Sequence, residues 1–158
     1  MKELPEIEML RQLISYDPIS GDFIWKRNGA TAGCIYKNGY RYIRINGSSY
    51  RSSRIALKIS TGEDPIGWQI DHVNGVRCDD RICNLRICSN AENVRNQKKN
   101  IRNTTGYKGV TIQSGCYRAQ IQVNGRHVSL GMFSTPEEAH QAYVKAAKKL
   151  FKRFARYE

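Results

Sequence analysis

The sequence predicts an α+β protein built from two modules, and three observations support this fold class. A strand hairpin followed by a helix, a ββα pattern, occupies residues 68–97. Further along the chain, three predicted antiparallel strands precede a strongly marked helix start. A polar, basic segment lies between the two patterns. We therefore place the first module at residues 1–99, a basic linker at 100–105 and the second module at 106–158.

Short elements in front of the hairpin are predicted to form its platform. Apolar spacing predicts a helix over residues 2–15. Residues 34–47 alternate around Asn-Gly pairs, which is typical of a small antiparallel meander. Residues 51–60 are predicted to form a second helix, ended by Thr61-Gly62.

The hairpin itself is predicted from local signals. Residues 69–73 and 85–88 carry strand-forming residues, and Asn74-Gly75 favours a tight turn because both residues tolerate a positive φ. Ser89 starts the helix, with a glutamate three residues later at the spacing of a capping box.

Asp71, His72 and Asn93 can converge in this arrangement, the first two at the end of a strand and the third on the helix. Carboxylate and amide oxygens suit a hard divalent cation, and Mg²⁺ takes only one or two ligands from the protein. An imidazole with an ordinary pKa of ~6.5 suits a general base. Taken alone, an Asp-His pair is more often a strand-end hydrogen bond, but the ordered combination across residues 68–97 favours a site.

D-H-x-N-G at residues 71–75, N-L-R at 84–86 and E-N-x-x-N at 92–96 resemble the HNH endonuclease motif, the ββα-metal nuclease site, in the form found in phage homing endonucleases. The residues that carry the resemblance are Asp71, His72, Asn74, Gly75, Asp80, Arg81, Asn84, Leu85, Arg86 and Asn93.

The resemblance implies a catalytic set of His72, Asp71, Asn84 and Asn93. Asp71 and Asn93 would bind a divalent metal ion, Mg²⁺ with Mn²⁺ as the alternative, and His72 would be the general base. Asn84 would hold the loop, and with it His72, through backbone hydrogen bonds. Residues 50–57 also resemble a family segment, except that Ser53 stands where histidine is usual.

The net charge of +12 indicates a polyanionic partner. Residues 1–70 hold ten Lys and Arg against seven Asp and Glu, whereas residues 71–158 hold sixteen against seven. The charges are interleaved with structured motifs, which favours nucleic acid over a basic tail that only confers solubility. Lys98, Lys99 and Arg102 are predicted to follow DNA phosphates, and a solvated connector stays open as the alternative.

Composition also limits location and cofactors. No apolar run reaches the ~20 residues of a membrane span, and the N-terminus lacks the apolar core of a signal peptide. We therefore expect a cytoplasmic protein that uses neither a membrane nor a small-molecule substrate.

The five cysteines are odd in number and contain no C-x-x-C, which disfavours both a disulfide framework and a structural zinc. Nothing marks a dimerisation stripe, so we expect a monomer and leave a dimer open.

The second module has its own pattern. Its predicted strands are residues 107–113, 117–123 and 126–132. The middle strand carries apolar residues on one face and Arg118, Gln120 and Gln122 on the other. Thr135 and Glu138 have the capping-box spacing of a helix start.

Y-K-G-V at residues 107–110, Y-R-A at 117–119, L-G-x-F at 130–133 and A-Y at 142–143 resemble an AP2 DNA-binding domain. The resemblance covers nearly the whole module and implies that its sheet enters the major groove. The residues it places toward DNA are Lys108, Thr111, Gln113, Tyr117, Arg118, Gln120, Gln122, Arg126 and Ser129. Thr111 and Ser129 stand where plant members often have Arg and Trp, so the plant sequence preference is not expected here.

Together these features predict a metal-dependent endonuclease of the HNH homing type, which nicks double-stranded DNA and is targeted by the AP2-like module. The alternative is a non-catalytic, sequence-specific DNA-binding or regulatory protein that uses the HNH fold as a scaffold. The joint presence of Asp71, His72 and Asn93 argues against it, and Ser53 argues for it. A structure-specific or restriction nuclease would keep the chemistry and change the target.

Overall fold

The computed structural model of the protein describes residues 2–95, 103–123 and 125–151. The chain forms two compact units, the first ending at Asn90 and the second beginning at Ala91. The sequence analysis expects this boundary at residues 100–105, part of which lies outside the described residues. Small antiparallel sheets and helices occur in both units, so the predicted α+β class is confirmed. Within the described ranges, no helix is long and apolar enough to cross a membrane.

The first unit is built from short segments. They are α1 (Ile7–Leu13), β1 (Ile14–Tyr16), β2 (Phe23–Trp25), β3 (Cys34–Ile35), β4 (Arg41–Ile45), β5 (Ser48–Arg51), α2 (Ser52–Thr61), β6 (Gln69–His72) and β7 (Leu85–Cys88). β1 pairs with β2, β4 pairs with both β3 and β5, and β6 pairs with β7, all antiparallel. The predicted helix over residues 2–15 is therefore wrong at its end, because Ile14 already pairs with Trp25 in a strand.

The turn between β4 and β5 shows why the meander forms where the sequence predicts it. Asn46 and Gly47 have φ values of 48° and 75°. Two consecutive positive φ angles are what a two-residue hairpin turn needs, and Asn-Gly is the pair that tolerates them best. The hairpin continues through β5, beyond the predicted end of the meander at residue 47.

A single buried core supports the hairpin of β6 and β7. Its fully buried members include Leu10, Phe23 and Ile43, and α2 contributes Ile55 and Ala56. The hairpin joins the same core through one apolar side chain on each of its strands, Ile70 and Leu85. The position of the hairpin residues is therefore set by packing and not by the turn alone.

The second unit contains α3 (Asn90–Arg95), which starts at the boundary, followed by β8 (Val110–Gln113), β9 (Cys116–Val123), β10 (Arg126–Phe133) and α4 (Pro136–Phe151). The sheet order is β10-β9-β8, so the three predicted antiparallel strands and the helix after them are present, although the first strand begins at Val110 and not at Tyr107. The capping box is present, since the backbone N–H of Glu138 donates to Thr135 Oγ1 at 3.3 Å and that of Thr135 donates to Glu138 Oε2 at 3.3 Å. α4 packs on one face of the sheet through small residues such as Ala139 and Ala147.

Candidate active site

Asp71 and His72 lie at the end of β6, where their side chains are almost completely buried, with 5% and 4% of their surface exposed. Neighbouring residues of a strand point to opposite faces. The two side chains accordingly have different partners, Arg86 for Asp71 and Asp80 for His72. Burying a carboxylate and an imidazole side by side costs free energy unless each is hydrogen-bonded, and here each is.

Asp80 holds the His72 ring. The Nε2 atom of His72 lies 3.3 Å from Asp80 Oδ1, and the Ser52 hydroxyl donates to Asp80 Oδ2. Asp80 is itself only 1% exposed, and its backbone oxygen accepts a hydrogen bond of 2.7 Å from the Tyr16 hydroxyl. Burial, with the nearby Asp80 carboxylate, raises the pKa of Tyr16 above its usual range, so that its hydroxyl remains a donor. Sequence reasoning included Asp80 in the motif but gave it no role.

A glycine brings the segment between β1 and β2 against the backbone at Asp80. A Cβ atom at Gly21 would lie 2.7 Å from the backbone nitrogen of Arg81, and the φ of Gly21 is 78°. Both the space and the backbone conformation therefore require glycine there. This contact, like that of Tyr16, joins Asp80 to a distant part of the chain.

The removal of Asp80 is expected to destabilise the first unit. Asp80→Ala removes the buried carboxylate that binds both Ser52 and His72, at a cost of about 2–4 kcal/mol in the free energy of unfolding. Urea unfolding followed by tryptophan fluorescence measures this unit selectively, because Trp25 and Trp68 are the two tryptophans of the chain.

A matched control distinguishes the loss of the buried Asp80 carboxylate from the loss of an exposed one. The side chain of Asp22 is 60% exposed and lies 3.9 Å from its partner Arg41. We expect Asp22→Ala to change the unfolding free energy by no more than about 0.5 kcal/mol. Equal losses in the two variants would contradict the assignment of Asp80 as a buried anchor.

Asn84 spans the loop between the strands. Its Oδ1 accepts the backbone N–H of Asn74 at 3.0 Å, and its Nδ2 donates to the backbone oxygen of Asp79 at 2.8 Å. Its own backbone oxygen accepts the N–H of Val73 at 2.9 Å. These are the kind of contacts that the predicted loop-holding role requires, although the catalytic part of that role stays a prediction.

Asp79 adds a second support in the same loop. It accepts hydrogen bonds from Arg81 Nε at 2.7 Å and from Asn74 Nδ2 at 2.6 Å. The Arg81 contact, with a smaller contribution from Asn74, lowers the pKa of the Asp79 carboxyl from 3.8 to about 2. The stability that this carboxylate contributes is therefore present above pH 3.8 and is lost as the pH falls to about 2.

Asp71 forms an ion pair with Arg86, its cross-strand neighbour. Arg86 Nε and Nη2 donate to Asp71 Oδ2 at 2.8 Å and 2.6 Å, and the side chains are only 14% and 6% exposed. The predicted metal-binding carboxylate is thus oriented and charge-balanced by a guanidinium. Sequence reasoning placed Arg86 in the motif without assigning it this function.

The donor chemistry fits a hard cation with few protein ligands. Among the described residues, no cluster of three or more His, Cys, Asp or Glu is arranged to hold a metal. Mg²⁺ does not need one, because it keeps several waters and takes one or two carboxylate or amide oxygens. Asp71 offers such an oxygen. Asn93 is half-buried on α3, in the second unit, and its pairing with Asp71 stays a prediction.

The sheet of the second unit brings together part of the predicted DNA-facing set. Thr111 pairs with Arg118 and Gln120 with Ser129, so these residues share one face. The opposite face carries Ala119 and Ile121, buried beneath α4. Gln113 lies two residues after Thr111 in β8, and Gln122 lies two residues after Gln120 in β9, so both also lie on the open face.

Other members of the set lie elsewhere. Tyr117 packs partly against the cluster on the α4 side, and Arg126 pairs with Val123, which also faces that side. Lys108 precedes β8, where its backbone oxygen lies 3.2 Å from His140 Nδ1. The predicted phosphate contacts Lys98, Lys99 and Arg102 fall outside the described residues.

Comparisons with known proteins indicate a family for the segment that contains the site. Residues 50–95 match a family model described as HNH endonuclease, and they include Asp71, His72, Asn84 and Asn93. A search of curated proteins finds no significant match. A solved chain described as "DNA binding and cleavage by the HNH homing endonuclease I-HmuI" is similar at 18% identity and a TM-score of 0.48, over 99% of this chain and 98% of that one. The family match supports an HNH nuclease segment at residues 50–95.

Proposed function

We propose that the protein is a metal-dependent DNA endonuclease that hydrolyses phosphodiester bonds in double-stranded DNA. The observation that carries the proposal is the match of residues 50–95 to an HNH endonuclease family, because that segment contains all the residues given a catalytic role from the sequence. The net charge of +12 is consistent with a polyanionic substrate.

His72 supplies the general base in this proposal. Its imidazole takes the proton of a water molecule, whose oxygen attacks the phosphorus as the bond to the 3′-oxygen breaks. Asp80, 3.3 Å from His72 Nε2, holds the ring in one orientation while the proton is taken. Asn84 keeps the loop after β6 closed by its hydrogen bonds to the backbone on both sides.

Asp71 and Asn93 would hold the metal ion, Mg²⁺ or Mn²⁺. When bound, the cation would stabilise the negative charge that develops on the phosphate and on the leaving oxygen. Arg86 balances the charge of the Asp71 carboxylate and fixes its orientation through two hydrogen bonds to one oxygen.

The second unit is proposed to target the nuclease. In an AP2-like arrangement, the face of β8–β10 that carries Thr111, Arg118 and Gln120 would lie in the major groove. A monomer with one active site per chain would leave a nick, and a double-strand break would need two molecules or two events. The homing type is proposed on the sequence resemblance alone.

Nicking of supercoiled plasmid tests the proposal. With Mg²⁺ or Mn²⁺, we expect the purified protein to convert supercoiled plasmid into open circles, because a single strand is cut per site. EDTA is expected to abolish the product, and restored Mg²⁺ to recover it. Agarose gel electrophoresis measures both. Linear product at early times would instead indicate that both strands are cut together by paired active sites.

A DNA-binding protein without catalysis is the second candidate, and one observation favours it. Ser53 stands in α2 where the family usually has histidine, and it is only 3% exposed. This buried position therefore lacks the imidazole that the family usually has there. If plasmid and other DNA substrates are shifted in a gel but never cut in any divalent metal, this candidate replaces the nuclease.

A further inference from the structure

Three side chains from separate parts of the first unit meet beside His72. The Cζ atoms of Arg51 and Arg77 lie 4.3 Å and 5.2 Å from the centroid of the Tyr40 ring. The same ring centroid lies 5.9 Å from that of the His72 imidazole. We call Tyr40, Arg51 and Arg77 the arginine–tyrosine cluster. It places two guanidinium groups against one aromatic ring, next to the residue proposed as the general base.

Neutral groups, not carboxylates, hold these guanidinium groups. Arg77 Nη1 donates to the backbone oxygen of Asn38 at 2.9 Å, and Arg51 Nε donates to the Tyr42 hydroxyl at 3.4 Å. Across the described ranges, neither Arg51 nor Arg77 forms an ion pair with an acidic side chain. Within these ranges no carboxylate compensates either charge, and each guanidinium has further N–H donors to offer to an acceptor.

Four other arginines of the first unit each pair with a carboxylate. The pairs are Arg41 with Asp22, Arg54 with Asp64, Arg81 with Asp79 and Arg86 with Asp71. The arginine–tyrosine cluster departs from this pattern, because it gathers two uncompensated like charges at one ring. Two positive charges beside one ring produce a local positive potential, which favours the binding of an anion.

We propose that the arginine–tyrosine cluster binds backbone phosphates of the DNA strand beside the cleaved bond. The inference rests on the proposed nuclease function, since it is the contact of Tyr40 with His72 that places the cluster next to the reaction. Guanidinium groups are planar forks of donors that match the oxygens of a phosphate. The DNA contacts predicted from the sequence all lie at or after residue 98, so the cluster is a separate site in the first unit.

Binding measured without cleavage tests the inference. The full chain is titrated into a short fluorescent DNA duplex in EDTA, and anisotropy gives the affinity over a series of salt concentrations. We expect Arg77→Gln to weaken binding about tenfold at low salt and to reduce the salt slope by about 1, the change for one lost phosphate contact. Arg51→Gln is expected to do the same. Arg77→Lys, which retains the charge, is expected to retain most of the slope.

Arg27→Gln is the matched control. Arg27 is also exposed and also stacks on an aromatic ring, with its Cζ 5.5 Å from the Trp25 centroid, so the variant removes the same charge from the same unit. An equal loss in Arg27→Gln and Arg77→Gln would reveal a general charge effect and overturn the inference. Unchanged affinity in Arg77→Gln with a lower Tm would assign the cluster to loop packing and overturn it too.

The two proposals fail in different ways. A wild-type protein that nicks plasmid while Arg77→Gln matches the Arg27→Gln control refutes the phosphate contact and keeps the nuclease. A wild-type protein that cuts no DNA, while Arg77→Gln still lowers the salt slope, refutes the nuclease and keeps the DNA contact of the cluster. A wild-type protein that does not bind duplex DNA refutes both.

Discussion

Replacement of His72 by alanine is expected to lower the rate of plasmid nicking by about 10²–10⁴-fold, the contribution usual for a positioned general base. His72 is the imidazole at the end of β6, and Asp80 is positioned to hold it in one orientation. DNA affinity in EDTA is expected to stay within about twofold, since the substrate contacts proposed here are made by other residues. Nicking rates and anisotropy titrations measure the two effects separately.

His127→Ala is the control for that variant. It removes an imidazole from an exposed position of β10 in the second unit, opposite Gln122 on the open face, so it can change DNA affinity but not the hairpin of the first unit. We expect its nicking rate at saturating protein to match that of the wild type. A His72→Ala variant that is folded by circular dichroism and nicks at the wild-type rate would show that another group activates the water.

The hairpin around His72 could be predicted from the sequence because its signals are local. Asn74-Gly75 marks the turn, and strand-forming residues on either side mark β6 and β7, whose observed bounds agree with the prediction to within a residue. The loop contact of Asn84 is expected only through the family resemblance. Nothing in the spacing of the chain alone points to a hydrogen bond from its side chain to Asn74.

The partners of the site residues could not be predicted, because they come from distant parts of the chain. Ser52 and Tyr16 reach Asp80 across 28 and 64 residues. Tyr40, which directly precedes β4, contacts His72 through tertiary packing that no periodic pattern predicts. Tertiary packing also explains the error at the first helix, where Ile14 pairs with Trp25 in place of a further helical turn.

In the second unit, the alternation of apolar and polar residues predicts the strands, but it does not predict for every residue which face of the sheet it occupies. Gln120 and Ser129 share the open face because they are cross-strand partners, a relation that depends on register. The register shifts between Ser129 and Gly131, and no sequence pattern announces such an irregularity. Arg126, predicted to face DNA, pairs instead with Val123 on the side of α4.

Asp71→Asn is expected to lower the rate of metal-dependent nicking by about 10³-fold, a loss similar to that expected for His72→Ala. The reason is that it removes the charged oxygen that a hard cation prefers. Its second readout is metal binding itself. Calorimetric titration with Mn²⁺ is expected to show a site in the wild type that is lost in Asp71→Asn. Some loss of stability is also expected, because Arg86 would then be a nearly buried guanidinium, 14% exposed, without its carboxylate.

Arg86→Gln separates the two effects of that substitution. It breaks the same ion pair, in which Arg86 Nε and Nη2 bind Asp71 Oδ2 at 2.8 Å and 2.6 Å, but it leaves the Asp71 carboxylate in place. We expect this variant to lose stability while it still binds Mn²⁺, because the metal-binding oxygen remains and no longer shares its charge with a guanidinium. If Asp71→Asn and Arg86→Gln lose Mn²⁺ binding equally, the carboxylate serves the fold and the metal ligand must be sought elsewhere. If only Asp71→Asn loses it, Asp71 is the ligand, and Arg86 is the residue that orients its carboxylate before the metal arrives.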